Sequence, residues 1–196
     1  MNLILFETSK GRLHPLLQTP QLRHRKREAS AGYWSQLRER LHDGYQKVAD
    51  RLNHEELLIA NLRHVSQLEV IHSSSEPSTV AEKRFRQFLR LGYSKHRRWF
   101  WVDAVLAFFG SFLMFLPGPN VFFFYPAIRS FGHYQACNGA RNALKLSQVT
   151  FRPDPLVDQI QNNLKNLNAI ESAIRELETR YHFNDLKTAL QHLGEK

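Results

Sequence analysis

Thirty residues, Trp99 to Ile128, contain one formally charged side chain, Asp103, and are interrupted near their middle by Pro117-Gly118-Pro119-Asn120. This block constrains the fold more than any other part of the chain. Its first arm, Trp99 to Leu116, places Phe100, Phe108, Phe109, Phe112 and Phe115 among Val, Ala, Leu, Met and Trp. A helix of those 18 residues reaches roughly 27 Å, close to the roughly 30 Å hydrocarbon core of a bilayer. The second arm, Val121 to Ile128, has 8 residues and would not cross unaided. The pattern predicts a membrane-anchored chain. The competing reading is the hydrophobic centre of a soluble domain, whose buried helices are also apolar all round.

Charge favours the membrane reading. The formal charge of the 196-residue chain is +9. Lys83, Arg84, Arg86, Arg90, Lys95, Arg97 and Arg98 precede the apolar arm as a basic collar, and anionic headgroups attract each such cation by about 1 kcal/mol. Anionic membrane lipids are therefore the expected partner. Arg129, Arg141, Lys145 and Arg152 follow the break. Basic residues at both ends favour entry and exit on one side. The resulting expectation is a mainly α fold, a membrane helical hairpin with helical soluble flanks, whose return arm runs from about Val121 to Leu144. Arg129 at mid-depth is costly unless it snorkels or finds a partner, so a single crossing followed by an interfacial helix stands as the alternative.

Four segments are expected: an extended N-terminal stretch over 1–32, a basic helical flank over 33–98, a membrane-embedded hairpin over 99–146 and an amphipathic helical lobe over 147–196. Leu3, Leu5 and Phe6 suit a short strand, and Pro15 and Pro20 mark an extended connection. Trp34, Leu37, Leu41, Tyr45, Val48 and Leu52 recur at helical spacing, and Leu57, Leu58, Leu62, Val65, Leu68 and Ile71 predict a second helix. Ser73 to Ser78, with Pro77, punctuates the chain. Thr79 and Glu82 have the spacing of a capping box, which predicts a basic helix over 80–91 ended by Gly92. In the last lobe Leu156, Ile160, Leu167, Ile170, Ile174, Leu177 and Tyr181 form a seam that wants a partner helix. That partner is either the helix at Leu37 to Leu52 or the same seam in another copy. Leu186, Leu190 and Leu193 make a last short helix.

The chemistry-bearing residues are sparse. A single cysteine, Cys137, excludes an intramolecular disulfide framework and reads as a buried, inert thiol. Of the ten histidines, His42, His54 and His64 fall on separate helical turns, without the two-histidine-plus-carboxylate grouping that fixes a transition metal. No HExxH segment, glycine-rich nucleotide loop or nucleophile elbow is present, so neither an enzyme, a cofactor nor a metal site is expected. The basic helix over 83–98 could track phosphates. Its aromatic residues, however, continue into an apolar run longer than a stacking platform requires, which argues against nucleic acid.

The stretch Leu116-Pro117-Gly118-Pro119-Asn120-Val121-Phe122-Phe123-Phe124-Tyr125, followed by Arg129, His133, Tyr134, Ala136 and Gly139, resembles the mitochondrial potassium–proton exchange-related family. The likeness covers about Trp99 to Leu144, with a looser match in the flanks. It implies an integral membrane protein supporting potassium–proton exchange and monovalent-cation homeostasis, in the inner mitochondrial membrane of a eukaryote or the cytoplasmic membrane of a bacterium.

Several residues of the block suit an ion-related role. Pro117, Gly118 and Pro119 form a structural break, and the two prolines leave nearby carbonyls free. Asn120 can donate, accept or cap the return helix. Asp103 can exchange a proton or pair with Arg129, and His133 is the pH-sensitive group of the block. Each also has a purely structural reading, as turn, cap or interfacial hydrogen-bonding residue. One hairpin is too small to enclose an alternating-access cavity. The expectation is therefore an accessory protein acting as a homo-oligomer or beside a separate transporter subunit, with a membrane-tethered scaffold as the alternative. Gly132, Ala136, Ala140 and Ala143 fall at near-helical steps and suit a close helix contact.

Overall fold

The computed structural model of the chain describes residues 1–7, 13–18, 54–112, 121–164, 166–183 and 186–194. These fall into two compact units. One comprises Met1–Gln21, His64–Arg90 and Ala143–Lys196, the other Leu22–Arg63 and Leu91–Asn142.

The first unit is built on a four-stranded mixed sheet of β1 (Asn2–Glu7), β2 (Leu13–Leu17), β3 (Leu68–Ser73) and β4 (Val149–Asp154), in the order β2-β1-β3-β4. β1 pairs antiparallel with β2 and parallel with β3, and β3 pairs parallel with β4. The central strands carry continuous buried runs, Leu3 to Phe6 and Val70 to Ser73, because both of their faces are covered. The edge strands each contain a proline, Pro15 opposite Leu5 and Pro153 opposite His72. An edge is where a residue without an amide proton is tolerated.

The C-terminal segment supplies the covering helices: α4 (Pro155–Asn162), a 3₁₀ turn (Leu167–Ile170), α5 (Glu171–Tyr181) and α6 (Leu186–Gly194). The apolar seam from Leu156 to Tyr181 is buried in one cluster with Ile4, Phe6, Leu16 and Ile71. The seam is thus satisfied by the sheet. The expected coiled-coil partner is replaced because the chain breaks at Asn163 and folds its pieces over the strands. The proposed partner helix at Leu37 to Leu52 lies outside the described residues.

Two long helices connect β3 to β4, as a parallel pairing requires. α2 runs from Ser78 to Phe112 and α3 from Val121 to Lys145. α2 passes through Gly92, which was expected to end it, and Glu82 pairs with Arg86 one turn on at 2.7 Å. The second unit contains the later part of α2, most of α3 and the short α1 (His54–Asn61). Leu68 to Ile71, expected to extend the helix after Leu57, form strand β3 instead. A short apolar run has no period of its own, and the two flanking strands decide its state.

The expected membrane helical hairpin is corrected by this architecture. Among the described residues no helix is long and apolar enough to cross a membrane. The apolar end of α2 that is described, Trp99 to Phe112, reaches roughly 21 Å and buries Asp103. α3 contains Arg129, His133, Arg141 and Lys145, with Pro126 inside the helix. Pro117, Gly118, Pro119 and Asn120 lie outside the described residues.

Candidate functional site

Close packing of three helices creates the site in the second unit. A Cβ placed on Gly139 of α3 would stand 1.8 Å from the Ile59 carbonyl oxygen, and one on Gly92 of α2 would stand 2.8 Å from Ile59 Cδ1. Gly139 therefore admits the α1 backbone at a distance no larger residue allows, and Gly92 admits the end of the Ile59 side chain. Gly132, Ala136, Ala140 and Ala143 are buried along the same helix. Once α1 is seated at Ile59, Glu56 comes inward one turn earlier, His96 lies one turn beyond Gly92, and His133 lies on the buried face of α3.

These side chains meet with Asp103. His96 Nδ1 and His133 Nδ1 are 3.0 Å apart and share one hydrogen bond. Glu56 Oε1 is 2.9 Å from His133 Nδ1. Asp103 Oδ2 lies 3.4 Å from His133 Nε2 and 3.4 Å from Arg129 Nε. Arg129 also stacks over the Trp99 ring, 5.1 Å from its centre. Glu56 is 5%, His96 3%, Asp103 3% and His133 4% exposed. Contacts from Tyr93 with Cys137, through His96 with His133, to Asp103 with Arg129 run in opposite directions along α2 and α3, so the helices are antiparallel there.

The cluster is close but poorly satisfied. Glu56 Oε1, His96 Nε2, Asp103 Oδ2 and His133 Nε2 are the buried side-chain polar atoms without a hydrogen bond among the described residues. The short separations to His133 are contacts in distance only, not aligned with its N–H directions. A neutral His133 carries one ring proton and faces a carboxylate oxygen at each nitrogen, so one nitrogen always presents a lone pair to an anion. Burial lowers the His96 pKa to about 4; Glu56 opposes this, while His133 and Lys95 add to it. Its imidazole is neutral near pH 7. Burial also pushes the Asp103 carboxyl above its ordinary range, against the pull of Arg129 and His133.

Asp103, Arg129 and His133, singled out from the sequence, are thus brought together, whereas Asn120 lies outside the described residues. Asp103 is enclosed by helices. Glu56 and His96 were missed. The signal for His96 was the recurrence of Gly92, His96, Asp103, Ala107 and Gly110 at three-, four- and seven-residue steps, a stripe of small and polar residues that α2 buries. Cys137 is buried as expected, and burial raises its thiol pKa.

The opposite side of this stripe is apolar and open. Trp101 is 61%, Phe108 62%, Phe109 62% and Phe112 61% exposed, and Val102, Val105, Leu106, Phe124, Tyr125, Phe131 and Tyr134 are exposed as well. Large hydrophobic side chains face outward while carboxylates and imidazoles face inward.

Fold and site define a mainly helical α+β protein with an inverted helical unit: a polar, tightly packed interior and an aromatic exterior. The chain belongs to the mitochondrial K⁺–H⁺ exchange-related family, whose sequence profile matches residues 20–147. That span includes the whole second unit and every residue of the cluster, and it excludes β1, β2 and β4. No curated protein and no solved structure shows significant similarity to the chain.

Proposed function

We propose that the protein supports mitochondrial potassium–proton exchange as a non-enzymatic accessory factor, seated on an anionic bilayer by the aromatic exterior of its second unit. The inverted distribution of apolar side chains carries this reading. In water, full burial of a Phe or Leu is worth about 1.5–3 kcal/mol, yet α2 and α3 turn such residues outward and spend their buried seam on glycine, alanine and polar groups. Small residues at the helix seam and apolar residues at the periphery suit contact with lipid. Exposed Arg97 and Arg98 precede Trp99 and Trp101 along α2, placing cations beside amphipathic rings as an anionic headgroup layer favours. The helices lie at the interface in this reading instead of crossing it. Ion transfer belongs to a separate transporter subunit, because two histidines and two carboxylates enclosed by three helices offer no pathway of their own.

Flotation with phosphatidylcholine–cardiolipin vesicles tests the docking. The wild type is expected to float with these vesicles, less with pure phosphatidylcholine, and the Phe108→Ser/Phe109→Ser/Phe112→Ser variant to remain at the bottom of the gradient. Equal flotation of the two proteins, or a wild type that covers the face in a stable dimer and ignores vesicles, overturns it. Potassium-driven proton flux in liposomes containing this chain alone is expected to match empty liposomes; robust flux overturns the accessory role.

A further inference from the structure

The cluster inside the second unit has a chemistry separate from lipid contact. His96 Nδ1 and Glu56 Oε1 lie 3.0 and 2.9 Å from His133 Nδ1, and ligand atoms of all three residues are within 4.8 Å of one another. We propose that Glu56, His96 and His133 form a binding site for a divalent transition-metal ion of the zinc type, which clips α1 to α2 and α3.

One proton cannot satisfy these atoms. Placed between the two imidazoles, it leaves Glu56 Oε1 without a donor, which is how the oxygen stands in the structure. A second proton on His133 still leaves His96 Nδ1 and Glu56 Oε1 with a single N–H between them. A metal ion accepts all three lone pairs at once. Tetrahedral zinc with bonds of roughly 2.0–2.1 Å sets its ligand atoms about 3.3 Å apart, so the two separations from His133 Nδ1 open by only a few tenths of an ångström to receive it. Two imidazole nitrogens and one carboxylate oxygen suit zinc, cobalt or nickel, and not potassium, which prefers oxygen alone. Three protein ligands leave a fourth position for water.

Asp103 completes the arrangement as a positioning residue. With the metal on His133 Nδ1, the ring proton is placed on Nε2, which faces Asp103 Oδ2 at 3.4 Å. A carboxylate behind a ligating histidine fixes its tautomer and orientation. Arg129, 3.4 Å from the same Asp103 oxygen, favours the charged carboxylate against the effect of burial.

Titration of the full chain with Co²⁺, followed by Zn²⁺ displacement, tests the site. The wild type is expected to bind one Co²⁺ per chain with the intense visible absorption of tetrahedral coordination, and to bind Zn²⁺ more tightly still. Glu56→Gln and His96→Gln are expected to abolish the absorption. Asp103→Asn retains it with affinity lower by about 10–100-fold, the usual cost of a lost outer carboxylate. Absorption unchanged in Glu56→Gln and His96→Gln, or binding without tetrahedral bands, overturns the site and assigns the ion to surface histidines. X-ray absorption of the zinc-loaded wild type gives a second measurement that does not depend on the variants folding. Two imidazoles and one carboxylate are expected, and fewer than two imidazoles overturns the proposal.

Discussion

Asp154 and Asp103 are both buried aspartates, one in each unit, and their surroundings could hardly differ more. Asp154 Oδ1 accepts from the Leu156 amide at 2.9 Å, capping α4, while Oδ2 accepts from Arg180 at 2.9 Å and from the Tyr181 hydroxyl at 2.8 Å. Burial, followed by the bond to Asp154, raises the Tyr181 pKa to about 12, so the phenol keeps its proton and its bond. Asp103 Oδ2 lies near two cationic or potentially cationic groups and has a hydrogen bond to neither. The sheet unit also satisfies Asp158, which takes hydrogen bonds from Ser73 and from the Ser74 amide and hydroxyl; burial raises that carboxyl, but the hydrogen bonds together bring it below its ordinary value. The contrast separates a buried carboxylate whose hydrogen bonds are satisfied from one whose Oδ2 has none. Unsatisfied buried polar atoms cost about 1–3 kcal/mol each, and here they are concentrated in the unit that the family profile spans completely.

Four substitutions probe that contrast. Asp154→Ala removes a helix cap, about 1 kcal/mol, and strands the buried Tyr181 hydroxyl, about 1–3 kcal/mol. A loss of about 2–4 kcal/mol in urea unfolding is expected; a loss below 1 kcal/mol would show that the sheet unit does not depend on its satisfied network. Gly139→Ala drives a Cβ into the Ile59 backbone, and overpacking of that kind costs about 1–3 kcal/mol. Gly92→Ala meets only the far end of the Ile59 side chain, and its helix propensity gain of about 1 kcal/mol offsets the crowding. The thermal midpoints of the two variants should therefore separate clearly, with Gly139→Ala the lower. His96→Leu should move stability the other way, by about 1 kcal/mol in metal-free protein, because it removes a buried ring nitrogen that has no hydrogen bond. A destabilised His96→Leu protein, measured with a chelator present, would mean that the cluster is structural after all.

Much of the first unit was legible in the residues. The strand at Leu3 to Phe6, the punctuation at Ser73 to Ser78 and the apolar seam from Leu156 to Tyr181 all follow from local pattern. The seam's partner did not. A stripe of leucine and isoleucine says that a face is buried, but a sheet and a second helix bury it equally well. The aromatic block misled for a related reason. Its low charge is the same whether the large side chains surround a span or line one outer face. The buried Asp103 and the basic and polar residues of α3 become decisive only once the helices are seen to pair.

Local spacing decided that α3 would begin near Val121, that Gly132, Ala136, Ala140 and Ala143 would lie on one buried face, and that Asp103, Arg129 and His133 were the residues to watch. Those conclusions needed only the 3.6-residue turn and the size of a side chain. Tertiary packing alone decided that His96 would face His133 across 37 residues of chain and that Glu56 would join them from α1. The stripe from Gly92 to Gly110 marks His96 as buried but names no partner for it, and Glu56 has no such signal. Their meeting depends on how near α1 can approach two glycines, and that approach is a property of three helices packed together.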